Sequence, residues 1–159
     1  MLQLAQKSDI QTIQILAKTI WNEHYVPFIG QAQVDYMLDL FYAPTAILEQ
    51  MTAGQQFYLI EADAVQVGFL SISKKEIGEY FIHKFYINGR RKGLGATVFA
   101  AILVQYKDIE TIHLTVNKHN FKAINFYFKM GFVIEKTAIF DIGNDYVMDD
   151  FVMVFRRKS

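Results

Sequence analysis

The stretch Arg90-Arg91-Lys92-Gly93-Leu94-Gly95-Ala96 lies between an aromatic, strand-like run, Phe81–Ile87, and an apolar, helix-like run, Thr97–Tyr106. Gly93 and Gly95 lack a Cβ atom, so the backbone can turn tightly there and a ligand can approach it closely. Their N–H groups are expected at a helix N-terminus, where unpaired donors and the helix dipole favour an anion. Three consecutive cations add positive charge at the same place. The stretch therefore predicts a phosphate-binding loop.

Two common phosphate-binding loops fit this stretch poorly. A Walker A loop ends in Gly-Lys-Ser/Thr, whereas Gly95 is followed by Ala96-Thr97. A dinucleotide-binding fingerprint needs a third glycine or alanine three residues after the second, and that position is Val98. Taken alone, the loop is explained equally well as a basic turn between a strand and a helix.

A second motif downstream makes the interpretation more specific. The pattern Arg90-x-x-Gly93-x-Gly95 resembles the Arg/Gln-x-x-Gly-x-Gly/Ala acetyl-CoA loop of the GNAT superfamily of N-acetyltransferases. The segment Leu114-x-Val116-Asn117-x-x-Asn120-x-x-Ala123-x-x-Phe126-Tyr127-x-x-x-Gly131-Phe132 is similar to the second cofactor segment of that family. Two motifs in the right order, separated by a helix and a strand, are far more specific than either alone. The resemblance implies acetyl-CoA as the co-substrate.

Composition limits the other classes of function. At 159 residues the chain predicts one domain, residues 1–159, and the 16 basic and 16 acidic residues give no support to nucleic-acid or membrane-surface binding. The absence of cysteine excludes disulfides and a cysteine nucleophile. No apolar run approaches the ~20 residues of a membrane span. The first residues lack a signal-peptide layout, so we expect a cytoplasmic protein.

The order of predicted elements indicates an α/β fold. Apolar periodicity and turn residues predict a strand, two or three helices and a three-strand meander, followed by alternating helices and strands. This order favours a mixed, largely antiparallel sheet. The fold that the resemblance implies agrees with it: a GNAT-like twisted sheet of about seven strands flanked by helices.

The resemblance also implies which residues hold the cofactor. The loop amides and cations of residues 90–96 would hold the CoA phosphates, and Asn117 and Asn120 would contact the cofactor. The backbone of Phe85, Tyr86 and Ile87 would pair with the pantetheine arm as an added strand. Tyr127, two helical turns after Asn120, would protonate the departing thiolate. Without the motif, the alternative explanations are that Tyr127 is a core aromatic residue and that Asn120 is a helix N-cap.

The base and the substrate-binding residues have weaker signals. Glu79 and His83 are four residues apart on one predicted strand, so even spacing puts both on one face, where either would serve as a base. Alternatively, Glu79 is an exposed carboxylate at the end of the strand and His83 is a half-buried histidine without a catalytic role. Glu23 and His24, at the end of the first predicted helix, are candidates for binding the substrate amine. Both are explained as well as ordinary loop residues. The four histidines lack zinc-site spacing, so no metal is predicted.

The sequence thus predicts an acetyl-CoA-dependent N-acetyltransferase acting on a primary amine by direct attack. The acceptor is a small-molecule amine or a protein amine. The segment over residues 21–42 is weakly similar to bacterial spermidine/spermine acetyltransferases, which makes a polyamine one candidate. A non-catalytic acyl-CoA sensor and a protein-interaction domain with a basic turn remain as alternatives. A homodimer is compatible with the sequence.

Overall fold

The computed structural model describes residues 1–158, which form seven strands and six helices. The strands are β1 (Leu2–Leu4), β2 (Gln56–Ala62), β3 (Val65–Glu76), β4 (Glu79–Ile87), β5 (Thr111–Asn117), β6 (Val133–Gly143) and β7 (Tyr146–Arg156). The helices are α1 (Ile10–His24), α2 (Val26–Ile29), α3 (Gln31–Tyr42), α4 (Pro44–Thr52), α5 (Leu94–Gln105) and α6 (Phe121–Met130).

The strands form one sheet in the order β1-β2-β3-β4-β5-β7-β6. Every neighbouring pair is antiparallel except β4 and β5, which are parallel. One face packs against α5 and α6, and the other packs against α1, α3 and α4. The predicted fold class, a mixed and largely antiparallel sheet flanked by helices, is confirmed.

The sheet opens into a wedge between its two central strands. In the described part of the chain, β4 pairs with β5 only through Glu79–Phe81 and Thr111–His113. Beyond these residues β4 stays paired with β3 as far as Ile87, whereas its edge toward β5 carries no ladder. Backbone groups left unpaired at such an edge are available to an extended ligand.

A β-bulge at His83 changes which face the later side chains of β4 occupy, although His83 stays on the side of Phe81, 4.8 Å away between ring centroids. Ser71 of β3 pairs with Lys84 and the next residue, Ile72, pairs with Ile82, so His83 is an extra residue on β4. An extra residue reverses the alternation of side chains along the rest of the strand. Tyr80, Ile82, Phe85 and Ile87 therefore face α5 and α6, whereas Lys84 and Tyr86 face α1 and α3.

Helix α5 begins three residues earlier than its apolar run suggested. Gly93 takes the left-handed conformation, with φ of 77°, and serves as the N-cap, so Leu94, Gly95 and Ala96 form the first helical turn. Glycine adopts positive φ without the steric penalty of a Cβ atom. Among residues 1–158, no helix is both long and apolar enough to cross a membrane.

Candidate active site

A cavity of about 470 Å³ lies in the wedge between β4 and β5. Both layers of the fold line it. Trp21 comes from α1 and Tyr25 from its C-cap, and the other elements contribute Met37 of α3, Tyr127 of α6 and Asp150 of β7. The site is therefore assembled from segments that are far apart in sequence, and the unpaired edge of β4 forms one of its walls.

The three predicted pantetheine-pairing residues lie at this wall. Phe85 and Tyr86 line the cavity, and Ile87 ends the strand just before the basic loop. The bulge turns Phe85 toward α6, where its ring meets Phe126 edge-on at 5.7 Å between centroids. The strand edge and the loop thus form one continuous path from the interior of the wedge to the surface.

The basic loop lies at the outer end of that path. Arg90, Arg91 and Lys92 are exposed, and the guanidinium of Arg91 is 3.7 Å from Asp63. The N–H of Leu94 donates to the carbonyl of Arg91, whereas Gly95 and Ala96 lie in the first turn of α5, where N–H groups have no partner within a helix. The loop therefore presents backbone donors and exposed cations together, as an anion site requires.

Close packing against α6 requires glycine at position 95. A Cβ atom there would lie 2.8 Å from Cε1 of Phe126, whereas a Cβ atom at Gly93 would meet nothing within 4 Å. The close approach at Gly95 is thus made by α6 of the protein itself. At Gly93 the need for glycine comes from the positive φ.

Tyr127 is 9% exposed and lines the cavity. Its ring centroid lies 5.4 Å from the ring centroids of both Phe126 and Phe132. Tyr127 is therefore a core aromatic residue that also lines the cavity. Burial, and next the nearby Tyr25, raise the pKa of the Tyr127 hydroxyl well above its usual value. The hydroxyl therefore stays protonated and remains a hydrogen-bond donor at physiological pH.

Asn120 has two partners in the protein. Its Oδ1 accepts from the N–H of Ala123 at 3.3 Å, which makes it the N-cap of α6, and its Nδ2 donates to the Tyr25 hydroxyl. Asn117 also lines the cavity, and its Oδ1 accepts from the N–H of His119 at 2.8 Å. Both asparagines shape the turn between β5 and α6, and their cofactor contacts stay a prediction.

Three of the predicted polar residues lie outside the cavity. Glu79 is exposed at the start of β4, the end at which the wedge is closed by pairing with β5. Glu23 and His24 are also exposed, with their side chains 3.9 Å apart at the end of α1. Glu79 is therefore poorly placed for the role of base that its spacing suggested, because the strands diverge only after Phe81.

His83 lines the cavity at the bulge, where its Nε2 and the hydroxyl of Ser73 share a hydrogen bond of 2.7 Å. Burial, helped by the charges of Lys84 and Lys75, lowers its pKa to about 4. The imidazole is therefore neutral and weakly basic at neutral pH. It is poorly matched to deprotonating an ammonium group.

The structure adds a carboxylate that sequence reasoning missed. Asp150 of β7 is 6% exposed and lines the cavity on the face toward α1 and α3. Burial, and next the charge of Asp149, raise its pKa to about 6, although Thr115 and Lys118 act in the opposite direction. The only hint in the sequence is a pair of acidic residues, Asp149-Asp150, inside an otherwise apolar strand.

A buried lysine was missed in the same way. Lys84 is 8% exposed, lines the cavity and has its pKa lowered to about 8 by burial. Its position in the middle of an aromatic run, Phe81–Ile87, could have indicated a functional residue. Lysine is almost never fully buried unless it is paired. Lys84 and Asp150 place opposite charges on two walls of one cavity.

Comparisons with known proteins agree with this geometry. A family model described as the acetyltransferase (GNAT) domain matches residues 27–147, more than half of the chain. The chain is 23% identical over 152 residues to the spermidine N(1)-acetyltransferase of Thermoplasma acidophilum, covering 89% of this chain and 90% of that protein.

Two solved structures illustrate the similarity of fold. The PaiA N-acetyltransferase of Thermoplasma acidophilum, in complex with coenzyme A, superposes with a TM-score of 0.79 at 19% identity, covering 99% of this chain and 98% of that one. Naa50 of Arabidopsis thaliana, in complex with a bisubstrate analogue, gives a TM-score of 0.70 at 21% identity, covering 100% and 97%.

Proposed function

The chain belongs to the GNAT family of acetyltransferases, and from that premise we propose that it transfers an acetyl group from acetyl-CoA to a primary amine by direct attack. The observation that carries the proposal is the unpaired edge of β4 beside a cavity that holds both Tyr127 and Asp150. One domain, residues 1–159, performs the reaction.

The cofactor lies along the path from the basic loop into the wedge. The first-turn amides of α5 and the cations Arg90, Arg91 and Lys92 hold the phosphates. The pantetheine arm pairs with the free backbone edge of Phe85–Ile87, as an added strand would. A backbone N–H near the bulge then polarises the thioester carbonyl.

Tyr127 assists the departure of sulfur. The amine nitrogen bonds to the carbonyl carbon as the C–S bond breaks, negative charge develops on sulfur, and the nitrogen then gives up its excess proton to solvent. The Tyr127 hydroxyl donates a hydrogen bond to that sulfur inside the buried cavity, where electrostatic interactions are stronger than in water. Because its pKa is raised, hydrogen-bond stabilisation contributes more than complete proton transfer, and the thiolate takes its final proton on release to solvent.

Asp150 receives the proton of the acceptor ammonium. A base with a pKa of about 6 is mostly ionised at neutral pH, yet it is stronger than an ordinary aspartate. Glu79 lies outside the cavity and His83 is too weak a base, so Asp150 is the best-placed group for this role. The same carboxylate also attracts the ammonium before transfer.

The acceptor is a small primary amine that fits beside the pantetheine arm. The relative named for spermidine makes a polyamine one of the acceptors to test first. The charges within the cavity favour a different class of amine, which is argued in the next subsection.

A thiol-release assay tests the proposal. The purified protein is incubated with acetyl-CoA and a panel of small amines, polyamines and amino acids, and free CoA thiol is followed with time. We expect release above buffer hydrolysis with at least one class of amine, and a strong reduction in Asp150→Asn. If acetyl-CoA binds but no amine or peptide N-terminus releases thiol, the non-catalytic sensor function is correct instead.

A further inference from the structure

We propose that the acceptor carries an anionic group, such as a carboxylate, in addition to its amine, and that the Lys84 ammonium binds this group. The acceptor class is therefore an amino acid or a similar zwitterion. This inference rests on the proposed acetyl transfer, since it assigns the second end of the molecule whose amine is acetylated.

The first observation is that Lys84 is a buried cation without an anion. Among residues 1–158, no carboxylate lies within salt-bridge distance of its Nζ. Its one hydrogen-bond acceptor is Oε1 of Gln55, at a long 3.4 Å, and that oxygen also accepts from Ser71 at 3.0 Å. Two of the three ammonium donors are therefore left for another partner.

Aromatic rings surround the rest of this ammonium group. Nζ lies 5.6 Å from the ring centroid of Tyr42 and 5.3 Å from that of Phe57. These contacts favour a cation, but they replace only part of the hydration that Lys84 loses on burial. A buried charge that is otherwise poorly compensated is expected to have a functional partner, and Lys84 lines the substrate cavity.

A second buried donor lies in the same part of the cavity. Trp21 is 6% exposed, and within the described residues its Nε1 makes no well-formed hydrogen bond, although it lies close enough to the Tyr42 hydroxyl to act against the burial that raises the pKa of that group. Trp21 and Lys84 thus flank Tyr42 with two incompletely used donors. The neutral Oε1 of Gln50 is also unpaired on this side, and it suits an N–H or O–H of the same ligand.

The opposite wall has the opposite charge. Asp150 pairs with Asn117 on the β5 side of the wedge, whereas Lys84 belongs to β4, and both face α1 and α3. An amine near Asp150 and an anion near Lys84 would satisfy both buried charges at once. The second ammonium of a polyamine would instead meet Lys84 inside a poorly hydrated cavity, where like charges repel strongly. The cavity is therefore expected to select zwitterions over polyamines.

Matched acceptor pairs test this selection. Each pair consists of an L-amino acid and the amine that differs from it only by loss of the carboxylate, and spermidine is included. We expect at least one amino acid to exceed its decarboxylated partner and spermidine by 10-fold or more in kcat/KM. Preference for spermidine, or no preference within any pair, would overturn the proposal.

A variant connects the selection to Lys84. Lys84→Met keeps a straight side chain and removes the charge; it should raise KM for the amino acid by 10-fold or more and leave KM for acetyl-CoA unchanged. Lys7→Met, which removes a charge from an exposed position outside the cavity, is the control and should behave as the parent. Lys84→Gln is the second variant, in case the first does not fold.

Binding measurements separate this inference from the proposed reaction. Calorimetric titration of amino acids and their decarboxylated partners into the CoA-saturated protein needs no turnover. Carboxylate-dependent binding that is lost in Lys84→Met supports the anion site even if no acetylation occurs. Equal binding by the parent and Lys84→Met would overturn it even if acetylation is observed.

Discussion

Asn120 donates a hydrogen bond of 3.2 Å from Nδ2 to the hydroxyl oxygen of Tyr25, which joins the start of α6 to the end of α1 across the wedge. The bond holds the Tyr25 ring, which packs 4.6 Å from Trp21 and 6.0 Å from Tyr86 between centroids. The nearby Tyr25 also contributes to the raised pKa of Tyr127. A ligand in the wedge therefore meets a cluster of phenols whose positions are set from both layers.

Tyr127→Phe separates an enzyme from a sensor. The ring and its packing are retained, so we expect little change in stability and in acetyl-CoA affinity. Turnover should fall by roughly 10²-fold, the lower part of the range for a positioned donor. The measurements are steady-state kinetics and thermal unfolding of the parent and the variant.

Tyr25→Phe is the matched control, because it removes a hydroxyl from the same cluster without taking the proposed donor from the leaving sulfur. Turnover should fall by less than about 10-fold, within the effect of one lost neutral hydrogen bond. An equal loss in the two variants would mean that the cluster acts only by holding the shape of the cavity.

Asp150→Asn should make the protein more stable at neutral pH. The folded-state pKa of Asp150 is raised to about 6, so its favourable contribution is present below about pH 4 and is lost as the pH rises through about 6. At pH 7.5 the variant should exceed the parent by up to about 3 kcal/mol in free energy of unfolding, and the difference should shrink toward pH 4. Denaturant unfolding across this pH range measures it.

The kinetic pH profile tests Asp150 as the base. In the parent, kcat/KM should rise through about pH 6 as the carboxylate ionises. In Asp150→Asn the activity should be at least about 10²-fold lower and should lack that limb. A limb near pH 6 that survives in the variant would assign the base to another group.

The two loop glycines should respond differently to alanine. Gly95→Ala places a Cβ atom 2.8 Å from the Phe126 ring, and overpacking of this kind is expected to destabilise the fold by about 1–3 kcal/mol. Gly93→Ala meets open space and carries only the strain of positive φ, roughly 1 kcal/mol. Thermal unfolding and acetyl-CoA titration of both variants measure this difference. Equal stability of Gly95→Ala and the parent would show that Phe126 can move aside.

Acetyl-CoA should stabilise the protein. At a concentration 100 times the Kd, a ligand that binds only the folded state adds about 2.7 kcal/mol, or roughly 5–10 °C in Tm. Because the loop cations are exposed, the shift should decrease with added salt. Lys92→Gln should weaken binding by up to about 10-fold, whereas Lys7→Gln should leave it unchanged. No shift with millimolar acetyl-CoA would contradict cofactor binding.

The family and the cofactor-binding residues were predicted from short, local motifs. The order of strand, basic glycine loop and helix is written in consecutive residues, and so is the Asn120–Tyr127 segment on α6. The family assignment that rests on them is confirmed by the family model over residues 27–147. The seven-strand sheet followed from the same periodic signals, because alternating and helical apolar patterns reflect local geometry.

Tertiary structure decided which polar side chains share the cavity. One extra residue at His83 turns Lys84 toward α1 and α3, and neither the bulge nor its effect on side-chain direction can be read from alternation alone. Asp150 comes into the wedge because β7 lies beside β5 and pairs it with Asn117, which is far from it in sequence. The sequence determined the cofactor motifs, since backbone donors and glycines act within a few residues of one another. The acceptor side of the site depends on which strands are neighbours and where one of them bulges, and those long-range relations exist only in the folded protein.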